Sequence, residues 1–114
     1  GDVYKRQLYT GTVIGAGFAS EMVGFISYRY FFDNGPEIAR TLDGGKTWAR
    51  LELDIPEEYA QYNMQPQNPT FSGNDGNYPI ILLDKDGNDR TMTLHTHDGG
   101  MTWIWPKLSA VDVS

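Results

Sequence analysis

The sequence predicts an all-β chain made of two four-stranded antiparallel units, and three observations carry that prediction. The stretch Thr41 to Trp48, T-L-D-G-G-K-T-W, recurs almost letter for letter from Thr96 to Trp103 as T-H-D-G-G-M-T-W. The spacing recurs too: Asp43 to Asp98 and Trp48 to Trp103 are each 55 residues, while Phe18 to Phe71 and Phe25 to Tyr78 are each 53. Between the turn signals lie short segments in which apolar and polar side chains alternate with the period of a strand.

The repeated octet has a physical logic. An Asp carboxylate accepts hydrogen bonds from the amides of its own turn, and two glycines supply backbone angles that other residues resist. The following Thr suits an emerging strand, and the Trp carries a large apolar body with which to anchor the hairpin. Both copies fit S/T-x-D-x-G-x-T-W. This pattern resembles the Asp-box, or BNR repeat, of sialidase-like β-propellers. A unit of about fifty residues with four strands also matches a propeller blade. The resemblance implies two blades of a partial propeller, with Thr41, Asp43, Gly45, Thr47 and Trp48 in one box and Thr96, Asp98, Gly100, Thr102 and Trp103 in the other. In that family the box joins the third and fourth strands and lies away from the ligand-binding end.

Composition bounds the class. The 114 residues suffice for one domain with a modest core. Thirteen glycines, 39% hydrophobic and 21% charged residues fit a turn-rich globular β protein. The net charge of −6 argues against nucleic acid or an anionic membrane as main partner. There is no cysteine, hence no disulfide framework or thiolate chemistry. No apolar run approaches the roughly 18 residues of a membrane span.

The expected elements follow in order. Gly1 to Gln7 resembles a translated adapter remnant and is expected to be a non-native leader; the two blades then occupy 8–56 and 57–114. Thr10 to Phe18 is the first strand, with glycines where backbone or a ligand approaches closely. Val23 to Phe32 is apolar on both faces, as for a strand buried on both sides. Glu37 to Thr41 leads into the first box. Trp48 to Ile55 alternates Leu51, Leu53 and Ile55 against Arg50, Glu52 and Asp54, the pattern of a half-exposed outer strand. Pro56 to Pro69 is expected to cross between blades, with a helical turn beginning at Pro56-Glu-Glu-Tyr-Ala. Blade two is expected to comprise Thr70 to Gly73, Tyr78 to Leu83, Arg90 to Thr96 and Thr102 to Leu108, with Pro106 tolerated at an edge. Ser109 to Ser114 would begin a further blade.

In an up-and-down blade the turns between strands two and three share an end with the crossings between blades. Family members place ligand sites there. The candidate ligand-binding residues are accordingly Asp33, Glu57, Tyr59, Tyr62, Asp84, Asp86 and Arg90, with Asn34, Glu37, Glu58 and Asp89 beside them. Acids and rings together suit a sugar surface, whereas solvated turn chemistry accounts equally for the acids. The Arg-Ile-Pro motif of sialidases is absent, so no catalytic residue is carried over. Asp84 to Asp89, D-K-D-G-N-D, fails as a calcium loop because Gly is missing at the sixth position and His95 stands at the twelfth. His95 and His97 lack a third metal ligand. No metal and no cofactor is implied.

Relatives of the boxes include sialidases, xyloglucan-cleaving hydrolases, sortilin-type receptors, photosystem assembly factors and bacterial surface proteins. The phrase F-x-x-x-x-x-G-F before the first box resembles the non-enzymatic members more than the sialidases. The resemblance therefore implies a non-catalytic binding or scaffold module of a secreted or cell-surface bacterial protein, recognising carbohydrate or protein. Its alternative is a fragment of a sialidase-like glycoside hydrolase whose catalytic residues lie on other blades. Two blades do not close a ring, so further blades of a longer chain, or copies of this one, are expected as partners.

Overall fold

The computed structural model describes residues 12–29 and 35–108. The expected leader 1–7, the candidates Asp33 and Asn34, and the residues from Ser109 onward lie outside them. The chain is all-β and forms two four-stranded antiparallel sheets. The first runs in simple sequence order through β1 (Val13–Phe18), β2 (Gly24–Tyr28), β3 (Ile38–Thr41) and β4 (Ala49–Arg50). The second is built on a long hairpin. Its strands are β5 (Asn63–Pro66), β6 (Thr70–Ser72), β7 (Asp75–Leu83) and β8 (Asp89–Thr96).

Three sequence expectations change. Residues 57–69 are not merely a crossing. After the expected helical turn, a single 3-10 turn at Glu57–Tyr59, the chain forms β5 along one edge of β7. β6 then continues along that same edge, pairing Thr70 with Asn77 and Ser72 with Asp75. The interruption at Gln67 to Pro69 has a reason. Its polar groups turn to the first sheet, where the Ser27 hydroxyl donates to the Gln67 carbonyl at 2.6 Å and the Ala16 amide to Asn68 Oδ1 at 3.0 Å.

The two outer strands are shorter than their alternation suggests. β4 stops at Arg50, with one more ladder bond from the Leu51 amide to the Ile38 carbonyl, because β3 begins only at Ile38, just after Gly35-Pro36. The alternation still sorts burial: Leu51 is buried and Leu53 and Ile55 pack against the core, whereas Glu52 and Asp54 are exposed. In the second sheet the strand expected at Thr102 to Leu108 reduces to one bridge, His95 to Ile104. Continuing that register would set Pro106 against Thr93, and proline has no amide to donate. The 3-10 turn takes the segment instead: Tyr59 donates its hydroxyl to the Pro106 carbonyl at 2.6 Å, and the Leu108 amide donates to Glu58 at 2.6 Å.

The ladders also correct the repeat. Gly24 pairs with Phe18 and Thr41, and Gly76 pairs with Phe71 and Thr96, so these glycines are equivalent. Phe25 then corresponds to Asn77, and Tyr78 to Ile26. The equal spacing of Phe25 and Tyr78 had matched residues one register apart, and one residue reverses the face of a strand. Rather than occupying equivalent places, Phe25 and Tyr78 meet across the interface between the sheets.

That interface is the core. Phe25, fully buried, packs edge-on to Tyr78 at 5.9 Å and to Trp103 at 5.6 Å, and stacks with Phe71 at 5.7 Å. Beside it the Ser27 hydroxyl lies 2.5 Å from the Tyr78 hydroxyl. Since Ser27 already donates to Gln67, Tyr78 is the donor of that bond. Burial raises the Tyr78 phenol well above its ordinary value, against a smaller lowering by Ser27. β1 can lie close because its residues facing the second sheet are glycines. A Cβ at Gly15 would stand 2.6 Å from the Gln67 carbonyl oxygen, and one at Gly17 2.6 Å from that of Pro69. The close approach expected of these glycines is made by backbone.

Candidate ligand-binding surface

The two T-x-D-G-G-x-T-W turns are closed in the same way. In the first, the Thr41 hydroxyl donates to Asp43 Oδ1 at 2.8 Å and accepts from the Gly45 amide at 2.9 Å. Asp43 also accepts from the Thr47 amide at 2.9 Å and its hydroxyl at 2.6 Å. In the second, Thr96 donates to Asp98 at 2.8 Å and accepts from Gly100 at 3.0 Å, while the Thr102 amide and hydroxyl reach Asp98 at 2.9 and 2.5 Å. The glycine pairs take φ of +75° and +94° in one copy and +71° and +91° in the other. Both oxygens of each carboxylate accept from their own turn, so these groups hold the hairpin.

Both carboxylates are held down to about 2, first by the hydroxyl of the following Thr, then by its amide and by the preceding Thr hydroxyl. A folded-state value below the unfolded one means that stability is present above the ordinary carboxylate range and is lost as pH falls through about 2. Carboxyl carbon shifts in an NMR titration should therefore show Asp43 and Asp98 still ionised at a pH where the exposed acids have protonated. The buried hydroxyls matter separately. Thr96→Val leaves the Gly100 amide without its acceptor and should cost about 1–3 kcal/mol in urea unfolding. Thr41→Val should cost less, because the Gly45 amide is only partly buried.

These turns occupy one end of each sheet together with the hairpins between first and second strands. The Gly44 amide donates to the Met22 carbonyl at 3.0 Å, and the Gly99 amide to the Asn74 carbonyl at 2.8 Å. The candidate ligand residues of the second unit collect at the opposite end, since Asn63 pairs with Leu83 and Leu83 with Asp89. There Arg90 lies over the Tyr62 ring, 5.8 Å from its centre, within cation–π range.

Most of these candidates already have structural duties. Tyr59 is fully buried against Trp105, with ring centres 5.0 Å apart, and Tyr62 is buried as well. Asp84 closes its own turn, accepting from the Asp86 and Asn88 amides at 2.9 and 3.0 Å. Glu57 and Asp86 are exposed. Glu37 is buried and pairs with Arg50 at 3.2 Å. His95 and His97 bond to Asn77 at 2.7 Å and Asp75 at 2.9 Å, and the described residues contain no metal-binding cluster.

A second candidate surface lies where the outer parts of the two sheets meet. A groove of about 370 Å³ runs between 50–54 on the first sheet and 101–105 on the second, within the usual range of small-ligand sites. Arg40 and Arg50 bring positive charge to it, Glu52 and Asp54 negative charge, and Trp103 and Trp105 apolar surface. Arg40 spans the seam, donating to the Met101 carbonyl at 3.3 Å. The sequence offered little sign of this groove, because its walls are some fifty residues apart and meet only through packing of the sheets. The one local signal was Trp103-Ile104-Trp105, three large apolar residues in a row where an outer strand should alternate.

No protein-family model and no curated protein matches the chain. Among solved structures, YCF48 from Cyanidioschyzon merolae, a β-propeller protein, is similar, with a TM-score of 0.56 and 24% sequence identity. The match covers 88% of this chain and 28% of that one. No helix among the described residues is long and apolar enough to cross a membrane. Two face-packed four-stranded sheets, spanning just over a quarter of a propeller protein, identify the fold as part of a β-propeller.

Proposed function

We propose that the chain belongs to an Asp-box, sialidase-like β-propeller acting as a non-catalytic binding or scaffold module, recognising a carbohydrate or a protein outside the cell. The observation that carries this is the groove between the sheets. Its two Trp side chains offer flat apolar surface, while Arg40, Glu52 and Asp54 offer directional polar groups of both signs. Such a lining suits recognition by stacking and hydrogen bonding. The blade boundaries at 8–56 and 57–114 and a bacterial source belong to the same proposal. In support, the residues best equipped for chemistry hold the structure together: Asp43 and Asp98 close turns, and Tyr59, Tyr62 and Tyr78 fill the core.

The test is a glycan array and a peptide library probed with the full-length parent, beside a panel of aryl-glycosides. Binding without turnover, weakened at least tenfold by Trp105→Ala, supports the module. Turnover of any aryl-glycoside would instead make the parent a glycoside hydrolase, with this segment as part of its scaffold.

A further inference from the structure

The internal repeat contains one packing site twice, once filled and once open. In the second sheet Phe71, Tyr78, Trp103 and Gly100 form a socket, and the ring of Phe25 from the first sheet sits in it. The ladder equivalences place Phe18, Ile26, Trp48 and Gly45 at the corresponding positions of the first sheet. Part of the socket is assembled there too, with Phe18 and Trp48 edge to face at 6.2 Å and the Phe18 ring lying over Gly24 as Phe71 lies over Gly76. Nothing among the described residues fills it. Phe18 is 49% exposed, and Ile26, Trp48 and Gly45 are each partly exposed.

The filled copy specifies the occupant. A side chain standing where Phe25 stands, on the second strand of an adjoining sheet, would enter this socket. The second sheet of another copy would bring Asn77 to that place, and Asn77 is exposed and polar, bonded to His95 at 2.7 Å. Seating it among Phe18, Ile26 and Trp48 would bury an amide in an apolar site that offers it no hydrogen-bond partner, which is unfavourable. We infer that the open socket of the first sheet receives an aromatic side chain from a non-identical blade of the same longer polypeptide, and that copies of this chain do not close a ring with one another. The match covers 28% of a similar propeller protein, whose remaining length leaves room for further blades in one polypeptide. This inference does not depend on the proposed ligand groove.

The experiment gives the chain the missing knob. Asn77→Phe presents an aromatic ring on the outer face of the second sheet and so makes the chain complementary to its own first sheet, head to tail. By light scattering behind a sizing column, the wild-type chain should have the mass of one copy. N77F should at least double it in a concentration-dependent way, and N77F with Phe18→Ala should return to one copy. Unchanged far-ultraviolet circular dichroism and a urea midpoint no lower than that of the wild type would show that N77F, at an exposed position, is folded. A wild-type oligomer of defined size, an N77F chain that stays single, or an N77F assembly insensitive to Phe18→Ala would each overturn the inference.

Discussion

Phe25→Ala is expected to lower the unfolding free energy by about 3–5 kcal/mol, among the largest effects of a single truncation in the described residues. The side chain is fully buried and touches Phe71, Tyr78 and Trp103 of the other sheet, so its removal leaves a cavity in the core that the two sheets share. Three aromatic rings cannot collapse into that space without leaving their own strands. A domain of this size has a stability of about 5–15 kcal/mol in all, so the variant should lie near the edge of folding at 37 °C. Urea unfolding followed by tryptophan fluorescence measures the loss directly. Phe18→Ala makes the control, because Phe18 is the first sheet's counterpart of Phe71, lining the open socket, and is half exposed. Its cost should be well under half that of Phe25→Ala.

Gly100→Ala is expected to have the next largest effect, and Gly45→Ala separates its causes. Both glycines have φ near +90°, where an L side chain is strained by roughly 1–2 kcal/mol. Only Gly100 has a further reason to lack a side chain. A Cβ there would stand 2.6 Å from the Phe25 ring, whereas one at Gly45 meets nothing closer than 3.8 Å. The interface must therefore shift in one variant and not in the other, adding about 1–3 kcal/mol of overpacking. If the two sheets pack as described, G100A loses distinctly more than G45A in parallel thermal or urea melts. Equal losses would mean that Phe25 does not rest on the second turn.

Much of the fold was legible in the sequence because it is written in turn chemistry. The T-x-D-G-G-x-T-W octets fixed two hairpins, their geometry and their place at one end of each sheet. Their signals are local, since an Asp bonds to amides three or four residues away. What escaped depended on contacts between distant residues. β5 carries N-M-Q-P, a poor strand by composition, and pairs because β7 offers it an edge. The last strand looked regular to Leu108, yet Pro106 and the pull of Tyr59 and Glu58 end it at one bridge. The repeat itself was found one register out, because aromatic residues were matched to aromatic residues. The ladder shows that an aromatic on one blade meets an aromatic on the next.

The candidate site divides on the same physical line. Asp84, Asp86, Glu57 and Arg90 do reach one end of the second sheet, because β5 begins opposite Leu83 and the turn from β7 to β8 closes that same end. Tyr59 and Tyr62 were chosen as rings near a surface and are core side chains instead. A ring in a short irregular segment gives no periodicity by which its burial can be read. The groove between the sheets was hidden for the opposite reason: Arg40, Glu52 and Trp105 each look ordinary on their own strand, and only the packing angle of the sheets brings them to one seam.

The most direct test of the central claim, that these two sheets pack face to face through Phe25, is the nuclear Overhauser spectrum of the Phe25 ring protons. Face-to-face packing predicts cross-peaks to Phe71, Tyr78 and Trp103, and α-protons of Gly100 shifted upfield by the ring above them. A folded chain whose Phe25 ring shows contacts only within its own sheet would contradict the architecture.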